Sequence, residues 1–149
     1  MKIIQLKYGD SSDLFEKLSA LDKLCVGAEG WSADSFRSEV LKENGIVIYI
    51  TDDGEVTALL SGYTAVGEAD ITSVAVSPEY RRRGYALMLM EYFEKLLPED
   101  TESIFLEVRQ SNVAAITLYE RCGFERVGIR KNFYRAPVED AIVMIKALR

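Results

Sequence analysis

Apolar residues recur three and four positions apart at Leu14, Phe15, Leu18, Leu21 and Leu24, the spacing of one helix face, and predict a helix from Ser12 to about Cys25. A short strand, Lys2–Leu6, precedes it. Ser32 suits the N-cap of a second helix running to about Lys42, with Asp34 in the first turn, where a negative charge complements the helix dipole. Runs rich in β-branched residues follow: Gly45–Thr51 and Glu55–Val66 read as strands joined through the turn Asp52-Asp53-Gly54. Gly67 marks another turn before a strand at Asp70–Val76. Ala86, Leu89, Met90, Phe93 and Leu97 share one face of a helix that ends before Pro98. Beyond it come a strand at Ser103–Val108 and a helix at Asn112–Arg121, which Gly123 closes. Two last strands follow, at about Glu125–Asn132 and Asp140–Ala147.

Hairpin strands followed by strand–helix–strand crossovers imply an α/β (α+β) chain with a mixed sheet and helices on both faces. A chain of 149 residues suits one domain, 1–149, with no repeat or linker to divide it. No apolar run approaches the ~20 residues that span a bilayer. Met1 to Leu6 lacks the apolar stretch of a signal peptide, so the expectation is a cytoplasmic protein without a membrane partner.

Residue usage narrows the chemistry. Histidine is absent, which removes Ser-His-Asp and Cys-His nucleophilic machinery and most transition-metal sites. Any general base must be a carboxylate, a lysine, a tyrosine or a water chain. Cys25 and Cys122 lie too far apart for a zinc ligand pattern and read as reduced core residues. No metal is expected. A net charge of −6 disfavours nucleic acid as a partner and favours cationic substrates.

The stretch Val74-Ala75-Val76-Ser77-Pro78-Glu79-Tyr80-Arg81-Arg82-Arg83-Gly84-Tyr85-Ala86 is a strand, a basic loop and a helix start. Open backbone N–H groups at a helix N-terminus bind anions, and consecutive arginines in an acidic chain point to a phosphate-bearing ligand. The alternative is a solvated charge run ahead of a helix. Glu107 falls on a strand where alternation turns it away from Leu106 and Val108, and a carboxylate there is costly unless it faces a cleft. Alternatively it is a salt-bridged strand residue, and Tyr119 in the next helix a packed core aromatic.

Arg81-x-x-Gly84-x-Ala86 after a Val-Ala-Val strand resembles the pyrophosphate loop of the GNAT acetyltransferases, with Ala86 as its last small residue and a bulky Tyr85 inside it. The segment from Leu106 to Phe124, with Leu106-Glu107-Val108-Arg109, Ser111-Asn112, Ala115, Leu118-Tyr119 and Gly123-Phe124, is similar to the signature of the RimI-like ribosomal-protein-alanine N-acetyltransferases. Arg130-Lys131-Asn132-Phe133-Tyr134 with Glu139-Asp140-Ala141, and Trp31-Ser32 with Phe36, resemble further segments of that family. Departures fall on the amine-recognition side: Gly30 stands for the usual proline, Phe133 for the first of two tyrosines, and the loop 135–138 is short.

The resemblance implies the GNAT fold, a mixed, mostly antiparallel sheet of about seven strands with helices on both faces. It implies acetyl-CoA as co-substrate, with Arg81, Arg82, Arg83, Gly84, Tyr85, Ala86 and Leu87 around its pyrophosphate. Val74, Ala75 and Val76 would line pantetheine, a backbone N–H would polarise the thioester carbonyl, and Asn112 would contact the cofactor. Glu107 becomes the base and Tyr119 the acid that protonates the departing thiolate. Trp31, Phe133 and Tyr134 would wall the acceptor, with Glu29, Glu139 and Asp140 attracting positive charge on later residues of a peptide. The implied acceptor is a protein N-terminus, alanine of a basic ribosomal protein, on a monomer or weak dimer. An α-amine with pKa near 8 is roughly one-tenth neutral at pH 7, far more than a lysine near 10.4, and suits a carboxylate base. Acetylation of a small amine such as a polyamine, amino acid or aminoglycoside, or a catalytically silent CoA sensor, are the rival readings.

Overall fold

The computed structural model describes residues 1–148. Seven strands, β1 (Lys2–Gln5), β2 (Gly45–Asp52), β3 (Glu55–Ala65), β4 (Glu68–Val76), β5 (Ser103–Arg109), β6 (Glu125–Arg135) and β7 (Val138–Ala147), form one sheet in the order β1-β2-β3-β4-β5-β7-β6. Every neighbouring pair is antiparallel except β4 with β5, so the sheet is mixed and mostly antiparallel as expected. Four helices, α1 (Ser12–Val26), α2 (Ala33–Leu41), α3 (Tyr85–Leu96) and α4 (Val113–Arg121), complete it.

Strand alternation divides the core in two. Val47, Tyr49, Leu59 and Ala75 pack on one face against Phe15, Leu18 and Phe36 of α1 and α2. Ile48, Ile50, Leu60, Ile104 and Leu106 pack on the other against Leu89, Phe93, Ile116 and Tyr119 of α3 and α4. Each fully buried large side chain contributes roughly 1.5–3 kcal/mol. Ser11 and Ser32 cap α1 and α2, accepting from the Leu14 and Ser35 N–H groups. Asp53 (φ 48°) and Gly54 (φ 81°) both take left-handed conformations in the β2–β3 turn, the arrangement that matches strand twist in a two-residue hairpin.

Two local expectations are corrected. Leu24 does not join the buried face of α1 but is 65% exposed; the inward positions are Phe15, Leu18, Ser19, Leu21 and Asp22. β6 and β7 also run beyond Asn132 and start before Asp140, leaving Ala136-Pro137 as the connection. Their ladder is irregular between Arg130 and Tyr134, where Lys131, Asn132 and Phe133 lie opposite Asp140 alone. Asn132 has φ 53° there, and its N–H donates to Asp140 Oδ1 (2.8 Å). That bulge hid the continuation of both strands. No helix among the described residues is long and apolar enough to cross a membrane.

The site depends on an irregularity in β4. Ser73 pairs with Ser61 but Ile71 with Gly62, which leaves Thr72 as an extra residue. Such a bulge bends its strand. The β4–β5 pairing stops at Ile71 and Leu106, although β4 continues to Val76 and β5 to Arg109. Gly62 at this step is obligatory on space grounds: a Cβ would lie 2.4 Å from the Asp70 carbonyl oxygen and 3.0 Å from the Phe93 ring. Gly62→Ala should therefore destabilise the protein by about 1–3 kcal/mol, the range for overpacking. A lowered urea midpoint with an unchanged slope is expected; a wild-type midpoint would mean that this approach is not tight.

Candidate active site

The gap between β4 and β5 opens into a cleft of about 290 Å³. Thr72, Ser73 and Val74 line one wall and Glu107, Val108 and Arg109 the other. Asn112 and Tyr119 reach it from the α4 side, while Asp22, Cys25, Glu29 and Trp31 reach it from α1 and the loop after it. Tyr134, Ala136 and Pro137 border it from the β6–β7 end.

On β4, the Ser77 N–H donates to the Thr57 carbonyl (2.8 Å). Antiparallel alternation then turns the backbone groups of Ala75 and Ser73 toward β3, and those of Val74 and Val76 away from it, toward the gap. The Val76 carbonyl accepts there from Arg81 Nε (3.1 Å) and Cys25 Sγ (3.4 Å). Among the described residues Val74 has no such occupant, so its N–H forms an open edge.

The loop beyond β4 ends at Gly84, whose φ of 79° is left-handed and which places no side chain over the first turn of α3. Met88 N–H is the first to bond back into the helix, to the Gly84 carbonyl (3.0 Å), so the N–H groups of Tyr85, Ala86 and Leu87 have no helical acceptor. Two of the three arginines are engaged by the protein. Arg81 folds back on Val76, and the Arg83 guanidinium lies over the Tyr80 ring at 4.7 Å. Arg82 is exposed and left-handed (φ 65°). Tyr85 offers this loop only its backbone: its ring is buried and its hydroxyl donates to Asp52 Oδ2 (2.6 Å).

Glu107 stands on the face of β5 opposite the buried Leu106 and Val108. Arg130 Nη1 donates to its Oε2 (3.0 Å), which leaves Oε1 without a bond among the described residues. Tyr119 is 8% exposed, and burial holds its phenol well above the ordinary value, so it stays protonated. Its hydroxyl has no protein partner among the described residues. The end of α4 fixes the ring: Phe124 N–H donates to the Tyr119 carbonyl (2.9 Å), Gly123 N–H to that of Glu120 (3.1 Å), and the Phe124 and Tyr119 rings meet at 6.0 Å. This is a Schellman closure, with Gly123 at φ 99°. Asn112 caps the other end, its Oδ1 accepting from Ala115 N–H (3.2 Å).

Residues 14–124 match the acetyltransferase (GNAT) family model. The chain belongs to the GNAT acetyltransferase family. It is 36% identical over 117 residues to the [ribosomal protein bS18]-alanine N-acetyltransferase of Escherichia coli K12, covering 76% of this chain and 78% of that one. It is 37% identical over 128 residues to an N-alpha-acetyltransferase of Saccharolobus solfataricus, covering 76% of each. The crystal structure of the Escherichia coli ribosomal-protein-S18-alanine N-acetyltransferase superposes with a TM-score of 0.82 at 29% identity, over 99% of this chain and 94% of that one. This GNAT chain is an acetyl-CoA-dependent N-acetyltransferase.

At the end of the cleft bordered by the β6–β7 turn, Trp31 and Tyr134 line the cleft, whereas Phe133, 41% exposed, stands behind Tyr134, meeting its ring edge-on at 5.1 Å and lying under the Arg130 guanidinium at 4.8 Å. Trp31 meets Phe36 edge-on at 5.2 Å, and Arg109 covers the Tyr134 ring at 4.3 Å. Burial pushes the Tyr134 phenol up to about 12.

The three acidic groups expected to draw positive charge are already bonded internally. Glu29 Oε1 accepts from the Arg135 and Ala136 N–H groups (2.6 and 2.9 Å), and Oε2 from Arg109 (3.3 Å). Glu139 accepts from Ser111 N–H (2.6 Å) and Arg109 (3.2 Å), and Asp140 from Asn132. Arg109 also donates to the carbonyls of Pro137 (3.0 Å) and Ala136 (3.3 Å), tying β5 to the β6–β7 turn and to the loop after α1. Arg109 and Asp22 received no role from the sequence. The signal for Arg109 was its place beside Glu107 in the family signature; for Asp22 it was its position four residues after Leu18.

Backbone hydrogen bonds from Arg135 chiefly, then Ala136, and the Arg109 charge hold the Glu29 carboxyl below its ordinary 4.5. The Ser111 hydrogen bonds and Arg109 do the same for Glu139. A depressed folded value stabilises above the unfolded one, so this contribution is complete above pH 4.5 and is lost as pH falls through the lowered values. Urea unfolding at a series of pH values should show wild type losing stability below pH 4.5 more steeply than Glu29→Gln, which has no proton to take up. Parallel curves would mean that Glu29 is not held this way.

Proposed function

We propose that this enzyme transfers the acetyl group of acetyl-CoA to the N-terminal α-amine of a protein, with the alanine of small-subunit ribosomal protein bS18 as its acceptor. The observation that carries this reading is the convergence of Glu107, Tyr119 and the free backbone edge of Val74 on one cleft. The relatives named above, similar over three-quarters of the chain, support the acceptor. Residues 1–149 are read as one catalytic domain.

The donor set fits the co-substrate. Open N–H groups of Tyr85, Ala86 and Leu87, the helix dipole and the exposed Arg82 suit a diphosphate. Arg81, Arg83 and Gly84 shape that turn more than they grip it. The strand Val74-Ala75-Val76 presents its unpaired side to the pantetheine amides, with Asn112 across the cleft. The Val74 N–H would then polarise the thioester carbonyl, a fixed donor placed where negative charge develops.

Glu107 takes a proton from the acceptor ammonium through Oε1, directly or by way of a water, while Arg130 fixes the carboxylate's orientation. The neutral amine attacks the carbonyl carbon, the C–S bond breaks, the protonated Tyr119 donates to the leaving sulfur, and the second proton lost by the amide nitrogen passes, directly or by way of water, to restore the Tyr119 phenol. Neither step needs a metal, and among the described residues no three acidic or thiol groups converge as a metal site. Trp31 and Tyr134 flank the first residue of the acceptor.

Acetylation of a basic peptide beginning with alanine should exceed that of polyamines, amino acids and aminoglycosides in kcat/KM. The reverse order would move the acceptor to a small amine, and no CoA release with any amine would leave only a CoA-binding module. Glu107→Gln and Tyr119→Phe should each lower kcat by ~10²–10⁴ with acetyl-CoA affinity unchanged by calorimetry. Wild-type turnover in either variant removes that residue's role.

A further inference from the structure

The cleft holds one buried charge that the chemistry above does not use. Asp22 is 1% exposed, sits on α1 between buried Leu18 and half-buried Cys25, and lines the cleft. A carboxylate in that position survives only if its oxygens are bonded. Its Oδ1 accepts from Ser73 Oγ (2.5 Å) and its Oδ2 from Trp31 N–H (2.8 Å). Ser19 Oγ, one helical turn earlier, donates to the Trp31 carbonyl (2.8 Å), so α1 holds both backbone groups of Trp31.

These partners belong to different walls. Ser73 is the β4 residue between bulged Thr72 and Val74, where the strand loses β5 as a neighbour. Trp31 lies in the loop that leads into α2, on the acceptor side. One buried side chain thus spans from the strand that would polarise the thioester to the wall that would receive the amine. On the β5 side of the gap no hydrogen bond among the described residues repeats this link: Arg109 joins the loop after α1 to the β6–β7 turn and makes none to β4.

We propose that Asp22 is a positioning residue for acetyl transfer, acting through Ser73 on the placement of the Val74 N–H and through Trp31 on the acceptor. The inference rests on the reading of Val74 and Trp31 given above. A hydrogen-bond donor to a forming oxyanion must lie within a few tenths of an ångström of its place. Release of Ser73 therefore weakens the transition state more than the ground state and appears in kcat. Release of Trp31 loosens the acceptor wall and appears in acceptor KM.

The experiment is steady-state kinetics with an alanine-starting basic peptide, with calorimetry of acetyl-CoA binding and melting curves on the same proteins. Ser73→Ala should lower kcat about tenfold, with acceptor KM and acetyl-CoA Kd within about threefold of wild type, a loss of the size that small misplacements cause. Ser73→Thr, which keeps the hydroxyl, should restore kcat to within about twofold. Asp22→Asn should match the kcat loss and also raise acceptor KM, and the double variant should be no slower than Asp22→Asn alone, since both remove one link. A wild-type kcat in folded Ser73→Ala, or losses that multiply in the double variant, overturns the proposal. Ser73→Ala with its threonine rescue decides the matter if Asp22→Asn does not fold. Inactivity of the wild-type protein on the peptide would instead overturn the acceptor reading, so the two failures are distinct.

Discussion

A sheet that separates between two of its central strands has to hold the exposed edges in place by other means, and the structure is organised around that need. β4 and β5 part after Ile71 and Leu106, leaving backbone groups on both sides without ladder partners. Unpaired strand edges are costly when buried and adhesive when exposed. On β4 side chains take over in part: Arg81 and Cys25 occupy the Val76 carbonyl, and Asp22 anchors the strand through the Ser73 hydroxyl. The Val74 N–H, in the middle of the gap, has no partner among the described residues. The bulge at Thr72 creates the gap, and Gly62 lets β3 follow it where any side chain would collide with Asp70 and Phe93.

The opposite bank depends on one arginine. Arg109 gathers Glu29, Glu139 and the carbonyls of Ala136 and Pro137, and covers the ring of Tyr134. Three segments distant in sequence meet at that guanidinium: the loop after α1, the end of β5 and the β6–β7 hairpin from Tyr134 to Glu139. The planar fork of arginine serves several acceptors at once in a way that a lysine ammonium cannot. The acidity of the chain is consequently misleading about the cleft. Glu29 and Glu139 are structural anions, and Glu107, with one oxygen on Arg130, keeps the other without a bond among the described residues.

Local chemistry made much of this legible. The helix caps, the Asp53-Gly54 hairpin, the strand–loop–helix at Arg81 to Ala86 and the alternation around Glu107 each follow from neighbours within a few residues. The parts that escaped involve partners 28 to 107 residues apart: Glu139 with Arg109 and Ser111, and Glu29 with Arg135 and Ala136. Leu24 completed an apolar pattern and so concealed Asp22, the residue that occupies the buried face instead. Phe133 looked equivalent to Tyr134, but beside the 131–133 bulge only Tyr134 reaches the cleft, while Phe133 packs edge-on behind it.

Gly30 shows how a single residue shapes the Trp31 side of the cleft. Its φ of −61° is one that proline adopts, yet a Cβ would lie 2.7 Å from the Lys23 backbone, and its N–H donates to the Gly27 carbonyl (2.9 Å). A proline would lose that hydrogen bond and collide with α1. Glycine lets the loop lie flat on the helix, which brings Trp31 within reach of Asp22 and Glu29 within reach of the β6–β7 turn. The open N-terminus of α3 and the free edge of β4 are made of backbone, which many side chains leave intact. The wall at Trp31 is made of side chains meeting across the chain, so an exchange at Gly30 alters its shape first and reaches the edge of β4 only through the Asp22 link between Trp31 and Ser73.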